Sequence, residues 1–128
     1  MAYLLDTHTL LWFENGNKLL SKNVKNIIVN SPDKKYISIA SLWEIAIKVN
    51  LSKLQLHISF KELIKEIEKN NFIILPVETK HLFILSELKL HHNDPFDRII
   101  ISQAKSENLI ILTKDTLFKK YKISLLWN

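Results

Sequence analysis

Cysteine is absent from the chain, which excludes disulfides, thiolate zinc sites and cysteine nucleophiles. Glycine occurs once, at Gly16, with no glycine-rich phosphate loop around it, and this removes the P-loop and dinucleotide-binding classes. No apolar run approaches the roughly 18 residues that a membrane-spanning helix needs. The opening Met1-Ala2-Tyr3-Leu4-Leu5-Asp6 lacks the basic start and long apolar stretch of a secretion signal, so a cytoplasmic protein is expected. Acid is the scarcer charge: Asp and Glu number 13 against 18 Lys and Arg, a net charge of +5, and Arg98 is the sole arginine. A basic surface attracts polyanions such as RNA, DNA or acidic proteins. An AT-rich genome would enrich Lys, Ile and Asn in the same way with no function attached.

Apolar residues make up 47% and charged residues 24% of the 128, enough for a buried core in a single domain spanning residues 1–128. Short apolar runs alternate with amphipathic stretches. Strands are expected at Tyr3–Leu5, Tyr36–Ile39, Phe72–Leu75, Leu109–Leu112 and Ile123–Leu126. Helical spacing of apolar residues predicts helices over Thr7–Phe13, Ser21–Asn30, Leu42–Val49, Ser59–Asn70, Thr79–Leu88 and Pro95–Asn108, with a short one over Thr116–Tyr121. Helices that repeatedly follow strands imply a mainly parallel five-stranded sheet covered on both faces.

Four acids stand beside strand ends or open helices. Asp6 follows Leu4-Leu5, and Asp115 follows Ile111-Leu112-Thr113-Lys114. Glu44 comes after Tyr36-Ile37-Ser38-Ile39, and Asp97 after Asn93-Asp94-Pro95-Phe96. A parallel sheet delivers all its carboxyl ends to one edge, where ligands bind. Acids far apart in the chain can therefore meet there. Each also has a capping role open to it. Asp6 and Asp115 can be N-caps. Ser41-Leu42-Trp43-Glu44 has capping-box spacing. In Asp94-Pro95-Phe96-Asp97, Asp94 is the cap and Asp97 the third helical residue. Capping demands no common meeting place, however, and the four acids have no basic partner next to each of them. Crowded carboxylates repel unless protonated or bound to a cation, and hard divalent ions such as Mg²⁺ and Mn²⁺ favour oxygen ligands.

The remaining candidates read as structural. His91 and His92 are adjacent, point in different directions from any regular element, and suit a loop or surface better than a joint metal site. Trp12 and Trp43 lie among apolar neighbours and read as core or dimer contacts rather than base-stacking platforms. Arg98 and Lys114 can contact phosphate; equally, Arg98 can pair with a neighbouring acid and Lys114 can be solvated.

Four segments carry a family resemblance: Leu5-Asp6-Thr7-His8-Thr9-Leu10-Leu11-Trp12, Ser38 to Lys48 around Leu42-Trp43-Glu44, His91-His92-Asn93-Asp94-Pro95-Phe96-Asp97-Arg98, and Leu112-Thr113-Lys114-Asp115. In this order and spacing the chain resembles the PIN-domain ribonucleases, in particular the VapC-type toxins of bacterial toxin–antitoxin pairs. The resemblance implies a PIN-like three-layer α/β/α sandwich, with Asp6, Glu44, Asp97 and Asp115 matching the family's acidic ligands. It implies RNA cleavage with one or two Mg²⁺ or Mn²⁺ ions and a homodimer. It also implies a cognate antitoxin whose C-terminal segment covers the acidic crevice.

The mechanism expected is metal-assisted phosphodiester hydrolysis, with Asp6 and Asp97 as direct ligands and Glu44 and Asp115 binding through water or orienting the nucleophile. An aspartyl-phosphate phosphatase would need a second acid two residues after Asp6, where His8 stands. The other function open to the chain is a catalytically silent PIN-like module that binds RNA or protein, against which the four filled acidic positions argue.

Overall fold

The computed structural model describes all 128 residues. Five strands form one sheet: β1 (Ala2–Leu5), β2 (Lys34–Ser38), β3 (Ile73–Leu75), β4 (Ile110–Leu112) and β5 (Leu125–Leu126). Their spatial order is β3-β2-β1-β4-β5, and every pairing is parallel. Six α-helices connect and cover them: α1 (Thr7–Asn15), α2 (Lys22–Asn30), α3 (Ile39–Asn50), α4 (Phe60–Lys69), α5 (Thr79–Glu87) and α6 (Pro95–Glu107). The short segment Thr116–Tyr121 is a 3₁₀ helix. Gly16 ends α1 with φ +67°, a left-handed conformation that glycine adopts without steric cost.

Alternation along β1 divides the core into two layers, because successive strand side chains point to opposite faces. Tyr3 and Leu5 join Leu10 of α1, Val24 and Ile28 of α2, Ile45 of α3 and Leu63 and Ile67 of α4. Leu4 points the other way, into Ile100, Ile101 and Ala104 of α6 with Phe118 and Tyr121. Leu112 and Ile111 repeat the alternation in β4. The result is the expected three-layer α/β/α sandwich. A parallel sheet buried on both faces needs apolar side chains on both, which explains why its strands read as short continuous apolar runs.

The strand order places the site. β1 leads to β2 and β3 on one side, whereas β4 and β5 lie on the other. Connections leave β1 and β4 in opposite directions, opening a crevice beyond their carboxyl ends. Asp6 directly follows β1 and Asp115 lies three residues past β4.

Phe118 is fully buried beneath this edge, and its ring meets that of His92 edge-on at 5.7 Å. Phe118→Ala is expected to lower stability by roughly 3–5 kcal/mol, the usual range for removing a buried aromatic ring. Urea unfolding measures it. A loss below about 1 kcal/mol would show that Phe118 does not seat the 3₁₀ segment.

Candidate active site

Asp6 is buried, at 5% exposure, and it caps α1: its Oδ1 accepts from the Thr9 amide at 2.9 Å. Its Oδ2 accepts from the Thr113 hydroxyl, which in turn accepts from the Asp115 amide at 3.0 Å. Two further hydroxyls tie α1 to its surroundings. Thr9 donates to the Leu112 carbonyl at 2.8 Å, and Thr7 donates to the Ser41 hydroxyl at 2.9 Å. Burial pushes the Asp6 carboxyl above its ordinary pKa, and the hydrogen bonds from Thr113 and Thr9 oppose that rise.

Asp97 and Asp115 meet through His92. The imidazole Nε2 is 3.1 Å from Asp97 Oδ2 and 3.1 Å from Asp115 Oδ2. Its Nδ1 accepts from the Asp94 amide at 3.2 Å, so the ring proton sits on Nε2 and is shared between the two carboxylates. His92 is buried whereas His91 is exposed. Both histidines lie in the loop before α6, as expected, but His92 is turned inward rather than to the surface. Asp94 caps α6, accepting from the Phe96 and Asp97 amides at 2.9 and 3.0 Å. Asp115 caps the 3₁₀ segment through Leu117, at 2.9 Å.

Glu44 stands elsewhere on its helix than capping-box spacing suggests. Ser38, at the end of β2, caps α3 by accepting from Ala40, so the helix begins at Ile39 and Glu44 lies in its second turn. Its side chain is buried, with Oε2 paired to Lys48 Nζ at 2.8 Å and Oε1 without a partner. This corrects a second expectation: Glu44 has a basic partner one helical turn away, and Asp97 and Asp115 share an imidazole.

The other acids act on Asp97. Burial pushes the Asp97 carboxyl up to about 8, reinforced by the charges of Asp94, Asp6, Glu44 and Asp115. One ligand atom each from His92, Asp97 and Asp115 lies within 4.8 Å of the others. Asp6 and Asp115 line one cleft. Capping and convergence therefore coexist, since Asp6 and Asp115 each cap with one oxygen and turn the other toward the common region.

A hard divalent cation fits this donor set. The site offers several carboxylate oxygens, those of Asp97 in the field of the other acids, and Glu44 Oε1 is a buried acceptor with nothing to accept from.

Pairing with an acid on its own helix does not hold for Arg98: its guanidinium donates to the backbone carbonyls of Leu88, Lys89 and His92. It thereby fixes the loop that carries His92. Trp43 is 63% exposed, touching Phe96 edge-on at 5.2 Å, and Trp12 is half-buried at the rim of the cleft. His92, Thr113, Ser41 and Lys48 are the site residues that sequence reasoning missed. All four lie inside the quoted motif segments, but none announces its direction.

The family model of the PIN domain matches residues 3–123. None of the curated proteins matches the sequence. Among solved structures, that of VapBC2 from Rickettsia felis bound to a promoter DNA fragment is similar with a TM-score of 0.74 and 22% identity, over 100% of both chains. VapBC-1 from nontypeable Haemophilus influenzae gives 0.68 at 19% identity, over 98% of this chain and 97% of that one. FitAcB from Neisseria gonorrhoeae gives 0.67 at 18%, over 98% and 96%. These likenesses are of fold, and they agree with a family match that runs from β1 past the 3₁₀ segment. The chain belongs to the PIN-domain family.

Proposed function

We propose that this protein is a Mg²⁺- or Mn²⁺-dependent endoribonuclease, the toxin of a toxin–antitoxin pair, with residues 1–128 acting as one nuclease domain in the cytoplasm. PIN domains are generally nucleases. The observation that carries the reading is the convergence of Asp6, Glu44, Asp97 and Asp115 beyond β1 and β4, where burial and their mutual charge push the Asp97 carboxyl to about 8.

Asp6 and Asp97 are the residues we assign as direct ligands of the ion, with Glu44 and Asp115 completing its surroundings. A bound divalent ion would supply Lewis-acid charge for attack of water on phosphorus and for the departing oxygen. The protein's own contribution is positional. Thr113 orients Asp6 through one oxygen and receives the Asp115 amide, so one hydroxyl sets the spacing of two acids. His92 aligns Asp97 with Asp115, and Arg98 braces the loop beneath it. Orientation by such surrounding groups typically changes metal affinity or activity 10- to 100-fold. Lys48 pairs with Glu44 from the solvent side.

Two partners accompany the reading. Ile39, Trp43 and Ile47 form an exposed apolar stripe on α3, and such stripes mark protein interfaces. We assign it to a homodimer. A cognate antitoxin would cover the acidic crevice with its C-terminal segment. The likeness of fold to VapBC2 and VapBC-1 supports a partner of that kind.

The test is cleavage of labelled RNA with Mg²⁺, with Mn²⁺ and with EDTA, beside Asp6→Asn. Cleavage is expected only with a divalent ion, and Asp6→Asn is expected to lower it at least ~100-fold. Equal, negligible cleavage by folded wild type and variant on many RNAs would leave a binding module instead.

A further inference from the structure

We infer that Tyr121 is a positioning residue: its buried hydroxyl sets the backbone of His92, and through that ring the spacing of Asp97 and Asp115. The inference rests on the metal-site reading and names a residue behind the acids on which their geometry depends.

The chain from Leu88 to Asp94 joins α5 to α6 without regular structure. Its backbone polar groups have no ladder to enter, so each needs a partner of its own. Two side chains supply several of them. Arg98 donates to the carbonyls of Leu88, Lys89 and His92 at 3.1, 3.0 and 3.2 Å. Tyr121 serves the amides. Its hydroxyl oxygen accepts from the His91 N–H at 2.9 Å and from the His92 N–H at 2.7 Å. The guanidinium reaches the same oxygen at 3.4 Å, so the two side chains meet inside the loop. The His91 ring lies edge-on to the Tyr121 ring at 5.2 Å.

Each of these two residues stands on the element of one acid. Arg98 follows Asp97 directly in α6, and Tyr121 ends the 3₁₀ segment that Asp115 caps. His92 is therefore tied to one acid's helix at its carbonyl and to the other acid's segment at its amide. The same 3₁₀ segment reaches the imidazole as well. Phe118 meets the ring edge-on at 5.7 Å, and Asp115 Oδ2 lies 3.1 Å from Nε2.

Little slack is left. His92 Nε2 is 3.1 Å from a carboxylate oxygen of Asp97 and 3.1 Å from one of Asp115. A backbone shift of about half an ångström would carry one of these contacts out of hydrogen-bond range. A residue that only filled the core would need no hydroxyl. Phenylalanine at this position would keep the ring among Leu4, Ile100 and Phe118, yet it would leave two amides without their acceptor.

The test is a double-mutant cycle on Mn²⁺ affinity, read by calorimetry under conditions in which every variant is folded. Tyr121→Phe is expected to weaken Mn²⁺ binding about tenfold, within the range for groups that orient metal ligands. His92→Ala weakens it by about as much or more. Adding Tyr121→Phe to His92→Ala changes the affinity by less than about twofold, because the hydroxyl acts through His92. Ile67→Val, in the opposite core layer, is the stability control. It is expected to lower the melting temperature by a few degrees, as Tyr121→Phe does, and to leave Mn²⁺ affinity unchanged. Hydrogen exchange gives a metal-free readout. The His91 and His92 amides exchange at least about tenfold faster in Tyr121→Phe, while the Ile111 amide in β4 stays protected.

Wild-type Mn²⁺ affinity in Tyr121→Phe overturns the assignment. A loss that recurs in full on the His92→Ala background also overturns it, since the effect would then not pass through His92. Unchanged exchange at His91 and His92 does the same. Wild type that binds no Mn²⁺ removes the metal-site reading, and the assignment falls with it.

Discussion

Replacing Asp97 with asparagine is expected to stabilise the metal-free protein and, on the proposed reading, to end cleavage of RNA. The Asp97 carboxyl is pushed from an ordinary value of 3.8 to about 8, first by burial and then by Asp94, Asp6, Glu44 and Asp115. The neighbouring elements supply only partial relief, through a shared His92 N–H and the Lys48 ammonium that is already bound to Glu44. A raised acid is one whose charged form the fold disfavours. Its stabilising contribution is complete below about pH 4 and disappears as pH rises through about 8. Asparagine has no charge to acquire, so the gap between variant and wild type widens with pH. A tenfold change in proton affinity corresponds to about 1.4 kcal/mol, and a carboxyl that is 22% exposed realises only part of the full difference. The gap should therefore grow by roughly 2–3 kcal/mol between pH 5 and 8.5, equivalent to roughly 10 °C in Tm. Thermal unfolding in EDTA at those two pH values measures it. Superimposable melting curves at both would mean that Asp97 does not sit in a crowded field of like charge.

The second large effect is on metal affinity. A cation that binds carboxylates must displace their protons, so binding tightens with pH until the last ligand ionises. With Asp97 at about 8, Mn²⁺ affinity is expected to rise about tenfold per pH unit between 6 and 8 and then to level off. Calorimetry in two buffers of different ionisation enthalpy reads the same event as at least about one proton released per ion near pH 7. An affinity that is flat from pH 6 to 8, with no proton released, would place the ion away from Asp97.

Much of this architecture was legible because a parallel sheet leaves strong traces. Short apolar runs such as Leu109–Leu112, followed by amphipathic stretches, marked the strands, and the acids beside them marked the edge. The remainder depended on orientation, which spacing does not carry. Helix α3 starts three residues earlier than its apolar periodicity suggests, because Ser38 ends a strand and caps a helix at once. That earlier start moves Glu44 out of the first turn and frees Ser41 to accept from Thr7. For His91 and His92, two adjacent residues point apart, as expected. Which one turns inward is decided by the Asp94 amide and by Phe118, neither of which is a local signal. Arg98 likewise found carbonyls of the preceding loop rather than an acid on its own helix.

The hydrogen bond between Asp6 and Thr113 joins residues 107 positions apart. One of the two groups that hold the first acid in place is therefore synthesised last. A ribosome-bound chain that has emerged only as far as α6 carries Asp6, Glu44 and Asp97, but has neither β4 to seat Thr113 nor Asp115 to close the ring of charge. On the ribonuclease reading proposed above, such an unfinished chain leaves the RNA around it uncut. On the proposed reading, the site is complete only once the final strands have docked.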